Sequence, residues 1–310
     1  MKVLVVGGAG YVGGAVVDIL LKWDTHEFTV YDNLLYEDSY RKKVDFIFGD
    51  VRDRDKLSRI LKDYDTIIWL AAIVGDGACA SDPELAITIN QHTVGWLAEN
   101  FQGRIIFAST CSVYGAHDTL LNEKSEINPL SVYAKTKYEA ELLLKDKEAT
   151  IFRLGTLYGI GDLFSRVRMD LVVNTLTHKA CVDNKIHVFG GEQYRPLLHV
   201  RDAARTIVSA LDQKQRGIFN LAECNMKIID LARLVKSCFS VLEIEETGSQ
   251  HEDTRNYKVN INKAKDILEF YTEVDVIRGI YEIRDLIMSN RIKNIHSKRY
   301  LNAEFLKEKI

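Results

Sequence analysis

The opening of the chain narrows the choice of fold more than any other stretch. Lys2-Val3-Leu4-Val5-Val6 is a short continuous apolar run, as a strand buried on both faces requires. Gly7-Gly8-Ala9-Gly10-Tyr11-Val12-Gly13 follows at once, and residues 15–21 then read with helical period. In a strand–turn–helix, Gly7 allows the tight turn, Gly10 admits a pyrophosphate close to the backbone, and Gly13 lets helix and strand pack closely. Tyr11 and Val12 stand between the last two glycines, at the helix end whose free amides face the phosphates. The glycine spacing alone is weak. It gains force from the next strand, Phe28-Thr29-Val30-Tyr31, which ends at Asp32 and Asn33. A carboxylate there accepts hydrogen bonds from the adenosine ribose hydroxyls and repels a 2′-phosphate, so the expected cofactor is NAD rather than NADP. A leader peptide or an unliganded turn would also open on an apolar run, but the interrupting glycines and the acidic strand end argue against both.

After Asp32 strands and helices keep alternating, which predicts an α/β fold: a Rossmann-type, doubly wound parallel sheet covered on both faces. Residues 44–48 form a strand ending in Gly49-Asp50-Val51, and residues 66–70 one ending in Ala71-Ala72. Ligands of open parallel sheets sit at the carboxyl ends of strands, so Asp50 and Val51 are expected at the adenine and Ala71 and Ala72 along the cofactor's middle. Asp82-Pro83-Glu84 opens a helix that runs to about Phe101 and carries Asn90 inward. Residues 104–108 and 150–154 are the fifth and sixth strands. This divides the chain into an NAD-binding domain at 1–155 and a smaller substrate lobe, mainly 156–289, with 200–211 packing back on the main domain. The extended pieces 186–189 and 218–221 are assigned to that lobe. Residues 290–310 are locally basic and read as a solvated tail.

Composition excludes several classes. With 310 residues, 46% of them hydrophobic and only three prolines, the chain is compact, without a low-complexity linker. A net charge of −3 gives no reason to expect nucleic acid or an anionic membrane as a partner. Five scattered cysteines without a CxxC pair read as reduced thiols of a cytoplasmic protein. No apolar run reaches the ~18–20 residues that span a bilayer. The eight histidines and the cysteines show no metal-ligand spacing, so no metal is expected.

The chemistry-bearing residues lie further on. The fifth strand ends in Ser109-Thr110-Cys111-Ser112-Val113-Tyr114-Gly115, and Ser131-Val132-Tyr133-Ala134-Lys135-Thr136-Lys137 opens a later helix. Tyr133 and Lys137 share one helical face. An ammonium beneath a phenol lowers the phenol's pKa toward the working range of a general base, and the same lysine can hold the nicotinamide ribose. Thr110 can hydrogen-bond the reacting oxygen, with Tyr133 taking its proton as hydride leaves the same carbon. A Tyr-Xaa-Xaa-Xaa-Lys spacing is common by chance. Here it follows a strand-end hydroxyl cluster in a chain that carries the dinucleotide fingerprint.

These residues carry a family resemblance. The glycine turn, Asp32, Asp50-Val51, Ala71-Ala72, Asn90, the segment from Ser109 to Gly115, and Tyr133 with Lys137 resemble the extended short-chain dehydrogenase/reductases. Within these the chain is similar to the NAD-dependent nucleotide-sugar epimerase/dehydratase family, typified by UDP-glucose 4-epimerase. The resemblance implies a Rossmann domain with a small substrate lobe, NAD held through turnover, a nucleotide-diphosphate sugar as substrate, and a homodimer. It also implies that Arg195, in Arg195-Pro196-Leu197-Leu198-His199, and Arg255, in Asp253-Thr254-Arg255, hold the diphosphate, and that Asn174 contacts substrate. Guanidinium forks suit two phosphates. His199 reads as a backbone-orienting residue at the lobe junction rather than a base.

Two departures bear on reaction type. The family's 4,6-dehydratases carry an Asp-Glu pair directly after the catalytic threonine, where this chain has Cys111-Ser112, expected with Thr110 to contact the substrate; the glutamate of the UDP-glucuronate decarboxylases is missing too. Thr156 replaces the usual asparagine at the sugar. The expected activity is therefore a nucleotide-sugar epimerase, acting at C4. A 4-dehydrogenase or ketoreductase of the GDP-heptose type is the alternative, and a non-catalytic NAD-binding regulator stands outside the class.

Overall fold

The protein is described by a computed structural model covering residues 1–162, 164, 166–247 and 255–309. The chain opens with β1 (Lys2–Val6), α1 (Tyr11–Trp23), β2 (Glu27–Asp32) and β3 (Asp45–Phe48). Then come α2 (Arg54–Ile60), β4 (Thr66–Trp69), α3 (Asp76–Ser81) and α4 (Pro83–Ile87), the last joined through a π-helical turn at Thr88–His92 to α5 (Thr93–Asn100). β5 (Arg104–Thr110), β6 (Ala116–Leu121), α6 (Val132–Leu143), β7 (Ala149–Leu154) and β8 (Thr156–Tyr158) follow. Next are α7 (Val172–Asp183), β9 (Lys185–Phe189), β10 (Tyr194–His199), α8 (Val200–Gln213), β11 (Gly217–Leu221) and β12 (Cys224–Lys227). The chain ends with α9 (Ile228–Ser237), β13 (Glu243–Thr247), β14 (Asn256–Val259), α10 (Asn262–Leu268), α11 (Val276–Met288) and α12 (Asn302–Lys309).

Seven parallel strands form the central sheet in the order β11-β7-β5-β4-β1-β2-β3. β1 lies at its centre, with Val5 opposite Val30 of β2 and Ile68 of β4. Val3 and Val5 face a core built with α1 and α8, while Leu4 and Val6 face one built with α2, α5 and α6. Burial on both faces is why β1 is apolar throughout instead of alternating. β11 corrects one expectation. Residues 218–221 belong to the main sheet as its edge strand, paired with β7, because Phe219 and Leu221 complete the apolar layer under α8.

Beyond the central sheet the described residues form three small sheets, β12-β10-β8, β13-β9 and β14-β6. α7, α9 and α11 bury Val173, Leu176, Val235 and Ile280 in a separate core there. Among the described residues no helix is long and apolar enough to cross a membrane.

The end of the chain differs from the solvated tail expected for 290–310. α12 docks on the main domain, with Leu306 buried in the α5–α6 core and Ala303 beside Gly77 of α3. Its lysines face outward and make the segment look solvated in sequence, while Ala303, Phe305 and Leu306 supply an apolar face. Leu306→Asp is expected to undock this helix. Trypsin should then cut at Lys298 and Arg299 well before it cuts the rest of the chain, and equal protection in the variant and the parent would refute the docking.

Candidate active site

The strand order reverses between β1 and β4, and a crevice opens at their carboxyl ends. Gly7 turns there with φ +87°, and a Cβ on it would lie 2.5 Å from the Ala71 amide nitrogen. A Cβ on Gly13 would lie 2.2 Å from the Gly7 carbonyl oxygen, so α1 starts hard against the turn. Gly10 caps α1 without a side-chain hydrogen bond, which leaves the first amides of the helix facing the crevice. Asp32, at the end of β2, accepts from the amides of Ala9 (3.0 Å) and Leu34 (2.7 Å). Burial raises its carboxyl above the ordinary range, and those amides oppose the rise.

A cavity of about 880 Å³ runs from this turn past Ala71 and Ala72 to Arg195 and Arg255. Its size and its few convergent polar groups suit a dinucleotide with a second ligand beside it. The bare backbone at Gly7 and Gly10 leaves room for a diphosphate, and the Asp32 carboxylate suits ribose hydroxyls. Tyr11, Val12, Gly13, Asn33, Val51 and Ser109 also line it. Asp50 and Asn90 do not. Asp50 is gripped by Arg52 (2.9 and 2.8 Å) and Asn33 (3.1 Å), and the Arg52 hydrogen bonds lower its pKa to about 2. Asn90 is buried, where its amide oxygen accepts from the Ile73 N–H (2.8 Å) and its amide nitrogen donates to the Ile73 carbonyl (2.9 Å) and Thr136 Oγ1 (3.2 Å). Both residues shape the cavity from behind.

Thr110 ends β5, and its Oγ1 accepts from the Ser112 amide at 3.1 Å. Tyr133 and Lys137 project from one face of α6 into the cavity wall. Ser131 caps that helix through the Ala134 amide (3.1 Å) and donates to Asp76 Oδ1 (2.6 Å). The electrostatics differ from the expectation that Lys137 would lower the pKa of Tyr133. Burial drives the phenol well above its ordinary value, and Cys79 and Asp76 push the same way. Arg168 and the Thr110 hydroxyl pull it down. Lys137 lies almost wholly buried, its Nζ 3.9 Å from the Phe107 ring centroid, and burial lowers its own pKa to about 7. The cation that lowers the Tyr133 pKa is thus the Arg168 guanidinium, from the loop before α7, and nothing in its sequence spacing to Tyr133 signals this.

Residues 3–222 match the model of the NAD dependent epimerase/dehydratase family. The chain belongs to that family. NAD is accordingly its cofactor. The chain is similar to UDP-glucuronic acid decarboxylase 6 of Arabidopsis thaliana, with 27% identity covering 90% of this chain and 87% of that protein. It is equally similar to a putative UDP-glucose 4-epimerase of Methanocaldococcus jannaschii, with 27% identity over 93% of this chain and 99% of the relative. Among solved structures, the UDP-glucuronic acid 4-epimerase of Bacillus cereus, in complex with UDP-glucuronic acid and NAD, matches with a TM-score of 0.78 at 25% identity. That match covers 94% of this chain and 100% of the other.

Within this epimerase/dehydratase framework the strand-end segment rests on a buried network. Arg153 of β7 forms an ion pair with Glu141 of α6 (Nη2–Oε2 2.6 Å), both nearly inaccessible. Glu141 also accepts from Ser109 Oγ, and Arg153 donates to the Tyr114 hydroxyl (2.9 Å), which donates on to Asn220 (2.9 Å). Tyr133, Lys137 and Glu141 recur every four residues along α6, so the helical face that carries the candidate chemistry also carries its anchor. Cys111 is fully buried, donating to the Arg153 carbonyl (3.1 Å), and burial raises its thiol pKa. It is not part of the cavity wall, contrary to its expected substrate role; Ser112 is, with its hydroxyl 3.2 Å from the Tyr257 hydroxyl.

At the far end Thr156, Arg195 and Arg255 line the cavity. Arg195 donates to the carbonyls of Tyr194 (2.8 Å) and Arg255, and Arg255 forms an ion pair with Asp76. Asp253 and Thr254 of that segment lie outside the described residues. Asn174 corrects another expectation: fully buried, it accepts from the Gly159 amide (3.0 Å) and donates to the Arg168 carbonyl (2.8 Å), bracing the loop that presents Arg168. His199 is also fully buried, with Nε2 2.9 Å from Glu282 and Nδ1 accepting from the Arg201 amide (3.2 Å).

Arg153→Met strands the Glu141 carboxylate in the interior. A loss of about 3–5 kcal/mol in denaturant unfolding is expected. Lys137 yields a pH dependence. Folded, its amine keeps a proton only below about 7; unfolded, it does so up to its ordinary 10.5. Between these values the unfolded chain binds more protons, so this group makes the cofactor-free protein more stable as pH rises. Lys137→Met should flatten that rise in unfolding measurements across the interval, and an unchanged slope would assign the depressed group elsewhere.

Proposed function

We propose that this protein is an NAD-dependent nucleotide-sugar epimerase acting at C4. The observation that carries the reading is the makeup of the wall beside Thr110. A dehydratase of this family carries an Asp-Glu pair directly after the threonine, and a decarboxylase a glutamate nearby. Here Cys111 is turned into the interior and Ser112 offers only a hydroxyl. The Asp76 carboxylate on the same side is engaged by Arg255 and Ser131. Reversible oxidation at one carbinol carbon is what the remaining groups support.

NAD supplies the acceptor, and afterwards the donor, of the hydride. Tyr133 takes the proton of the sugar hydroxyl and returns it after the sugar has turned over. Thr110, whose hydroxyl lowers the Tyr133 pKa, orients that exchange, and Arg168 favours the phenolate. Lys137 helps to hold the cofactor's ribose. Arg195 and Arg255 grip the diphosphate while the sugar rotates, Thr156 meets the sugar, and the protein works as a homodimer. Decarboxylation is the second reading, supported by the similarity to the plant decarboxylase.

The test is a panel of UDP-, GDP-, dTDP- and CDP-sugars that includes UDP-glucuronic acid, followed by NMR and by NADH absorbance. A C4 epimer without net NADH supports the proposal. Stoichiometric NADH with a ketosugar would replace it by 4-dehydrogenation, and carbon dioxide with a pentose product by decarboxylation. Tyr133→Phe should lower turnover by about two orders of magnitude or more while cofactor content stays at the parent level.

A further inference from the structure

The wall of the cofactor cavity is completed by a part of the chain that the family match, residues 3–222, does not include. Leu301, Asn302 and Ala303, at the start of α12, line the cavity together with Tyr36, Glu37 and Arg166. The hub is Asn302, which is almost fully buried. Its side-chain amide donates to the Val74 carbonyl (2.8 Å) and accepts from Arg166, while its backbone amide donates to Asp170 (3.0 Å). The Arg299 carbonyl takes two further bonds from Arg166 (3.0 and 2.6 Å), and the Met169 amide donates to the Tyr300 carbonyl (2.9 Å). Arg299 pairs with Glu37 (3.4 Å), and the Phe305 ring lies 5.4 Å from that of Tyr36. Each of these polar and ring contacts is therefore made with a segment that itself lines the cavity: the loop after β2, the loop after β4 and the loop before α7.

Arg166 gives this wall a chemical purpose. It is buried, stacked 3.9 Å from the Tyr36 ring centroid, and its hydrogen bonds among the described residues go to uncharged oxygens. Burial and the neighbouring Arg168 lower its pKa to about 10, against the opposing pull of Tyr36, Asp170 and Glu37, none of which accepts a hydrogen bond from it among the described residues. Arg166 and Arg168 both line the cavity; Arg168 is paired with Asp170 (2.9 Å) and lies 5.9 Å from the Tyr11 ring centroid, at the helix end of the glycine turn. A buried cation held by neutral acceptors is compensated when an anion binds beside it. The anionic part of NAD is its diphosphate.

We propose that residues 298–309 are part of the cofactor site: they wall NAD in, with Asn302 aiming Arg166 at the dinucleotide's phosphates, and they set how fast NAD leaves. Release then requires this segment to part from the ends of β2 and β4. The inference rests on the family's cofactor and is independent of which sugar reaction the protein performs.

The test measures release of isotopically labelled NAD, chased with unlabelled NAD, from the loaded full chain. A Cβ on Gly77 would lie 3.3 Å from the Ala303 Cβ, near the separation that a disulfide needs. The Gly77→Cys/Ala303→Cys double variant should release NAD about tenfold more slowly when oxidised than after reduction. Asn302→Ala, where it folds, should release NAD about tenfold faster than the parent, the scale of one charge-assisted hydrogen bond. Equal release from the oxidised and reduced double variant would overturn the proposal, even if Asn302→Ala fails to fold. So would parental release from a folded Asn302→Ala.

Discussion

The cofactor end depends on one constraint: three pieces of backbone lie closer together than side chains allow. The β1 turn at Gly7 touches the end of β4 at Ala71, and α1 begins against the turn at Gly13. This contact puts the amides of the helix, the carboxyl end of the central strand and the Asp32 carboxylate around one crevice. Because β1 is central and the sheet order reverses beside it, the crevice is also the topological switch point where ligands bind open parallel sheets.

The second determinant is the Glu141–Arg153 pair. An ion pair in the interior contributes little net stability, because the loss of hydration offsets the attraction. Its geometry matters more. It ties α6 to β7 and, through Ser109, to the end of β5, so Thr110 on β5 and the Tyr133–Lys137 pair on α6 arrive from two elements with fixed relative positions. Tyr133 is then held where burial opposes its ionisation and Arg168 favours it. A phenol so placed responds strongly to any charge added to the cavity, as the proposed exchange of a proton with substrate would require.

The loop before α7 and the C-terminal segment close the structure around that crevice. Asn174 braces the loop from beneath, and Asn302 ties it to the end of β4. Arg166 and Arg168 are presented by a stretch with little regular structure, whose geometry comes from its neighbours. Arg195 and Arg255 at the far end of the cavity depend on neighbours in the same way, with Arg195 bonded to the Arg255 carbonyl and Arg255 paired with Asp76 of α3.

What the sequence determined by itself is what local pattern and spacing encode. An apolar run, three glycines, an acidic strand end and a Tyr–Lys pair four residues apart specify a parallel α/β sheet, a dinucleotide turn and two side chains on one helix face. Each is a statement about neighbours within a turn or a strand. The tertiary structure decided the rest. Asp50, Asn90, Asn174 and Cys111 are polar residues at positions that suit ligand contact, yet each is occupied by protein partners, and only the packed chain shows which groups remain for a ligand. Arg168 beside Tyr133, β11 at the sheet edge and α12 over the cofactor cavity are long-range contacts with no periodicity to announce them. The lysine-rich end hid its docking because long charged side chains cover an apolar face of only a few residues. Even the pKa of Lys137 followed from depth of burial, which sequence spacing does not carry.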